Sequence, residues 1–167
     1  VSNPIQPILD LLLSCLCQTM ATLDKPPQQC CFRDGTEVPA DVLPEDVCCK
    51  GLAWVRPGLI IPAGQSFPEQ DVIGDNCAGA AYALEVELGV FRCSGAESCD
   101  GWTVQTKQSV EDRWALIRTI CCFKDQMLRQ FPAFGFGPTD GSPLEIQGKC
   151  GGAVQNMIIQ VPGPCCV

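Results

Sequence analysis

The sequence predicts an α+β fold, a mostly antiparallel four-stranded sheet covered on one face by two long helices. Three observations predict it. Apolar residues recur at helical spacing near both ends of the chain. Residues 82–90 alternate with period two. Proline- and glycine-rich segments separate these stretches. The expected order is helix, strand, strand, helix, strand, strand, in one domain over residues 1–167.

The first helix starts at a cap, Ser2 or Asn3, with Pro4 suited to the first helical position. Ile5, Ile8, Leu12, Cys15, Leu16 and Met20 form one stripe, and Lys25-Pro26-Pro27 ends the helix. Residues 30–50 read as an irregular surface loop. Leu52 to Ile61 reads as a strand interrupted at Pro57-Gly58, which implies an edge position or a bulge. Residues 62–79 read as a long loop. In the next strand Tyr82, Leu84, Val86, Leu88 and Val90 share one face, while Ala83, Glu85, Glu87 and Gly89 share the other. That second face is expected to be wet and acidic.

Ser94 to Thr106 reads as a loop. A second long helix follows, with Ser109 as its cap and Asp112 in a capping-box arrangement. Trp114, Ile117, Cys121, Met127, Leu128 and Phe131 are expected on its apolar side, and Pro132 ends it. Residues 132–143 read as a Gly/Pro-rich loop. The chain closes with a hairpin, Leu144–Gln147 and Ala153–Val161, turning at Gly148–Gly152.

Composition narrows the chemistry. The chain has 14 cysteines and no histidine. Lack of histidine removes the commonest general base and the commonest metal ligand together, so no enzyme and no cofactor are expected. A serine triad is excluded, and GFGPTDG (135–141) has the wrong spacing for a phosphate loop. A net charge of −8 disfavours specific nucleic-acid binding. The apolar run Ile8–Leu16 contains Asp10 and is too short to span a bilayer, so no membrane contact is expected. With no basic residue before that run, an export signal is not expected, and folding is placed in a reducing cytoplasm.

Eight of the cysteines form adjacent doublets: Cys30–Cys31, Cys48–Cys49, Cys121–Cys122 and Cys165–Cys166. Neighbours on a strand face opposite sides, so a doublet suits two different partners. No C-x-x-C occurs, which removes the usual redox and zinc-knuckle signatures. Cys15 and Cys17 point in different directions on a helix and cannot chelate together. Three readings stay open: late disulfides, buried free thiols, or a metal site. If the two early strands pair, Cys48 or Cys49 lies near Cys93, the first bridge to expect. Cys121 is expected in the core.

Several segments together resemble the tail-terminator family of long-tailed bacteriophages, in particular its cysteine-rich branch from phages of actinobacteria. They are Cys48-Cys49-Lys50-Gly51-Leu52-Ala53-Trp54-Val55-Arg56, Ser66-Phe67-Pro68-Glu69, Glu85-Val86-Glu87-Leu88-Gly89-Val90-Phe91-Arg92-Cys93, Cys150-Gly151-Gly152-Ala153 and Val161-Pro162-Gly163-Pro164-Cys165. The likeness runs from about residue 45 onward, and Pro57 departs from it by interrupting a regular strand. It implies a structural virion protein without catalysis. Such a protein forms a hexameric ring at the tail–neck junction, assembled in the host cytoplasm. The ring stops tail-tube polymerisation and joins the tail to the head's stopper or connector, with DNA only passing through its lumen.

Glu85 and Glu87 are then candidates for the lumen wall, where like charge keeps phosphates from binding. The same pair also reads as an ordinary solvated strand face, or as a catalytic dyad. Phe67, Pro68, Glu69, Phe134 and Phe136 are candidates for docking a partner ring, set against folding back onto their own subunit. Three rival functions accompany this reading: another neck component (stopper or adaptor), a secreted disulfide-rich binding protein, and a cysteine-ligated metal enzyme.

Overall fold

The computed structural model describes residues 3, 5–35, 45–63, 67, 81–130, 135–147 and 149–162. Among them the order is α1 (Ile5–Met20), β1 (Gln29–Phe32), α2 (Glu45–Lys50), β2 (Leu52–Pro62), β3 (Ala81–Cys93), α3 (Cys99–Gln130), β4 (Phe136–Gln147) and β5 (Cys150–Pro162). The strands form one five-stranded sheet in the order β1-β2-β3-β5-β4. β1 runs parallel to β2, and the other neighbours are antiparallel. This overturns the expected two helices and four mostly antiparallel strands: the described residues hold three helices and a five-stranded mixed sheet.

The extra strand and helix lie where an irregular loop was expected. β1 is only four residues, QCCF, too short for alternation to register. α2 is six residues and carries a cysteine doublet instead of an apolar stripe. It ends at Gly51, whose φ of +83° suits a helix-terminating glycine. The Gly51 N–H donates to the Cys48 carbonyl at 3.0 Å.

α1 is capped by Asn3, whose Oδ1 accepts the Ile5 N–H at 3.0 Å; Ser2 and Pro4 lie outside the described residues. α3 begins ten residues before the expected cap. Ser98 Oγ accepts the Gly101 N–H at 3.1 Å, so Ser98 starts the helix and Ser109 sits inside it. Asp112 does not cap. It is buried, and its carboxylate holds Arg92 through two bonds of 2.8 and 3.0 Å. β4 occupies much of the expected 132–143 loop. Its Pro138 and Pro143 are tolerated because β4 is an edge strand. Its register shifts between Pro138 and Gly141, where Gln155 Nε2 donates to the Thr139 carbonyl at 2.7 Å.

β2 carries one extra residue between Pro57 and Ile60 against β3. β1 pairs only with Leu52–Val55, so the bulge falls where β2 has become an edge. Edge position and bulge therefore occur together at Pro57-Gly58.

The sheet separates two cores. On one face Leu84, Val86, Leu88 and Val90 pack with Ala53, Val55, Met157 and Ile159 beneath α1 and α3, which contribute Leu12, Leu16, Leu116 and Phe123. Burying each large side chain of this kind stabilises the fold by roughly 1.5–3 kcal/mol. On the other face Leu52, Trp54, Phe91, Val154, Cys48 and Cys150 form a smaller cluster beneath α2. Trp54 and Phe91 stack with centroids 4.6 Å apart. Gly89 lies opposite Trp54 in the ladder, and a Cβ there would overlap the indole. The second face is therefore not uniformly wet; its Cys93 end is capped and apolar.

Among the described residues four disulfides cross these layers. Cys15 joins α1 to Cys122 of α3, and Cys17 joins α1 to Cys30 of β1. Cys48 bonds Cys150, and Cys49 bonds Cys93. Cys93 and Cys150 are cross-strand partners at one end of β3 and β5. The α2 doublet therefore clamps one rung of the sheet from above. Cys31, Cys99 and Cys121 are free thiols. Cys121 is exposed, not in the core; its neighbour Cys122 makes the bridge. Cys77, Cys165 and Cys166 lie outside the described residues.

Candidate assembly surfaces

The uncapped half of the second sheet face is an open groove of about 660 Å³. Alternation builds it. Arg56, Glu85, Glu87, Asn156 and Ile158 point to this side because their neighbours Val55, Leu84, Val86 and Met157 point to the helical core. The bulge in β2 pushes Leu59 to the rim, where it is 66% exposed, and Thr139 of β4 lines the groove as well.

The two glutamates have different surroundings. Arg56 donates to both Glu87 oxygens, Nε to Oε1 at 3.0 Å and Nη2 to Oε2 at 2.8 Å. Trp54 Nε1 adds a third bond to Oε1 at 3.2 Å, and Arg56 Nη1 reaches the Gly35 carbonyl at 3.1 Å. The charge of Glu87 is thus met by Arg56 of the same chain. Glu85, one rung pair away and partly buried, takes no hydrogen bond or ion pair from a described residue.

The opposite surface of the molecule is the outer side of α3. Val110, Trp114, Ile117, Cys121 and Leu128 follow spacings of four, three, four and seven, which keep them on one stripe. At about 100° per residue this stripe lies across the helix from Ala115, Leu116, Thr119 and Phe123, which are buried. Trp114 is 64% exposed and Val110 58%. The sequence reading merged the two sides: it grouped Trp114, Ile117, Cys121 and Leu128 with Met127, yet only Met127 is buried. Residues 127 and 128 stand about 100° apart, so one face holds both only if it is wide.

Charge is distributed unevenly. α3 carries Lys107, Arg113, Arg118, Lys124 and Arg129, five of the 11 basic residues of a chain with net charge −8. All five are exposed, as are Asp100, Glu111 and Asp125 of the same helix, so its exposed surface is mixed with a basic excess. Arg113 and Arg118 flank the Trp114–Ile117 segment, one on each side.

Of the docking candidates, Phe136 is not in a loop. It lies in β4, half-buried, with its ring edge-on to Phe123 at 6.2 Å. Phe67 is half-buried and lies beside Gly135. Pro68, Glu69 and Phe134 lie outside the described residues. The cysteine candidates are all in bridges, with Cys49 on Cys93 and Cys48 on Cys150. Among the described residues no group of three or more Cys, Asp or Glu side chains is placed to hold a metal ion, and no helix is long and apolar enough to cross a membrane. No protein-family model and no curated protein sequence matches the chain.

Proposed function

We propose that this chain is a structural assembly subunit that joins copies of itself into a ring of the tail-terminator kind. The ring would sit between a tail tube and a head connector. The observation that supports this reading is the pair of unlike surfaces on opposite layers, an apolar ridge on α3 flanked by Arg113 and Arg118 and a groove holding Glu85, which no described residue bonds. A surface that matches itself gives a closed dimer. Two different surfaces that match each other give a head-to-tail contact, which closes into a ring when the rotation per subunit allows. The described carboxylates best placed for chemistry, Glu87 and Asp112, are each held by an arginine, which suits a scaffold better than a reaction centre.

The lumen assignment of Glu85 and Glu87 weakens on the same grounds. With Glu87 paired to Arg56, that face no longer carries two free negative charges. The ring reading therefore places this face at the subunit contact.

Native mass spectrometry and negative-stain imaging of the full chain, alone and added to growing tail tubes, test the reading. The expected result is a closed ring, near six copies, that caps tubes and stops their growth. A chain that stays monomeric and leaves tube length unchanged would overturn it. The four disulfides favour one second reading, a secreted disulfide-rich binding protein, which the same measurement would reveal as a persistent monomer.

A further inference from the structure

We infer, resting on the ring reading, that the α3 ridge of one subunit seats in the sheet groove of the next copy. Trp114 enters the groove beside Leu59 and Ile158, and Arg118 pairs with Glu85. The occupant is a second copy of this chain, and charge complementarity selects it. Glu85 lines the groove with no bond from a described residue and with its carboxylate open to water, so it can accept a cation brought by a neighbour. The basic residues that could reach it from another copy are concentrated on the one helix that also exposes a tryptophan. Arg118 stands one turn beyond Trp114, so a guanidinium and an indole reach the same groove together. The groove, at about 660 Å³, accommodates both, with Leu59 and Ile158 offering apolar contact to the ring and Glu85 accepting from the guanidinium.

The geometry gives the contact a direction. α3 covers one face of the sheet and the groove lies on the other, so a subunit that receives a ridge on its groove still presents its own ridge. The contact propagates head to tail and closes into a ring when the rotation per subunit allows. The rival occupant of the ridge, α3 of a second copy packed antiparallel, consumes both ridges at once and stops at a dimer that leaves Glu85 unused.

A charge-swap series on the full oxidised chain tests this, read by sedimentation velocity and native mass spectrometry across protein concentration. Thermal melts verify that each variant folds. Arg118→Glu and Glu85→Lys should each weaken assembly at least tenfold, and the double variant should recover most of it. Trp114→Ala should weaken assembly without rescue by either charge change. Should Glu85→Lys unfold the chain, Glu85→Gln takes its place and should weaken assembly by a smaller factor. A wild-type ring indifferent to all these changes would overturn the contact while leaving the ring reading intact. A dimer that survives Glu85→Lys and disappears with Trp114→Ala would assign the ridge to α3–α3 pairing and overturn it as well. A wild-type chain that is monomeric at every concentration would remove the ring reading itself, and the contact with it.

Discussion

The two faces of the sheet are closed by different means. On one, α1 and α3 lay long apolar stripes over Leu84, Val86, Leu88 and Val90, and two disulfides tie α1 to its neighbours, Cys15–Cys122 to α3 and Cys17–Cys30 to β1. On the other, the covering helix α2 has six residues, below the length at which a helix holds itself in water. It is fixed by two disulfides to one rung of the sheet and covers only the Trp54–Phe91 end. Each face carries two disulfides, but α1 and α3 also bury long apolar stripes. Where the covering element is too small to stay by burial, covalent bonds substitute for it. The remainder of that face stays open and becomes the groove.

The sharpest way to break this comparison is to remove the staples. Replacing Cys48, Cys49, Cys93 and Cys150 with alanine should cost more than replacing Cys15 and Cys122. A native disulfide is worth about 2–5 kcal/mol, and the first variant loses two that share one small helix. Guanidinium unfolding of both oxidised variants measures it. Equal losses would mean that α2 holds its place by packing alone. Within the helical layer, Cys15–Cys122 spans 107 residues and Cys17–Cys30 spans 13, so removal of the longer closure should cost more, by about 1–2 kcal/mol in the chain-entropy account.

Next in size is a pair of ion pairs, one per face. Arg92–Asp112 ties the end of β3 to α3, with the Asp112 side chain 2% exposed, and Gln108 also donates to it at 3.2 Å. Arg56–Glu87 lies beside the open groove, with side chains 16% and 17% exposed. Asp112→Ala strands Arg92 under the helix and should cost about 3 kcal/mol, near the lower end for breaking a buried pair. Glu87→Ala leaves Arg56 within reach of water and should cost about 1 kcal/mol, falling further in high salt. Chemical denaturation at low and high sodium chloride separates the two. A larger loss from Glu87→Ala would show the groove floor to be as dry as the helical core.

How much of this was legible in the sequence follows the physics of each element. α1 and β3 were clear because their patterns are long and regular, and the bulge was signalled by Pro57-Gly58. β1 and α2 were not. Four residues and six residues carry no measurable period, and their positions depend on disulfides and on β2, which are tertiary facts. The first ten residues of α3 were hidden by polar composition, because that turn of helix packs little and shows no stripe. For the site, the period-two pattern placed Glu85 and Glu87 on one side of β3. It contained nothing about Arg56, which meets Glu87 only through the cross-strand register. Trp114, Ile117, Cys121 and Leu128 of the α3 ridge stand in the sequence as part of one apolar side with Met127, and their exposure is not visible there. A helix that is apolar on both sides looks, in one dimension, like a helix with a wide buried face.

The smallest expected effect divides α3 itself. Leu116 and Trp114 are two residues apart on one helix and face opposite directions, the first fully buried and the second exposed. Leu116→Ala removes a side chain from close packing and should cost about 2–5 kcal/mol. Trp114→Ala removes a much larger side chain, yet in dilute monomer it should change stability by no more than about 0.5 kcal/mol, because in one subunit alone the indole is mostly in water. The contrast applies in dilute solution; under the proposed ring contact, the loss of Trp114 should be felt at higher concentration as lost assembly. Thermal unfolding followed at two widely separated protein concentrations reads both regimes. A large loss from Trp114→Ala in the dilute limit would mean that the indole is covered by its own chain, and the ridge would then not be free to meet a neighbour.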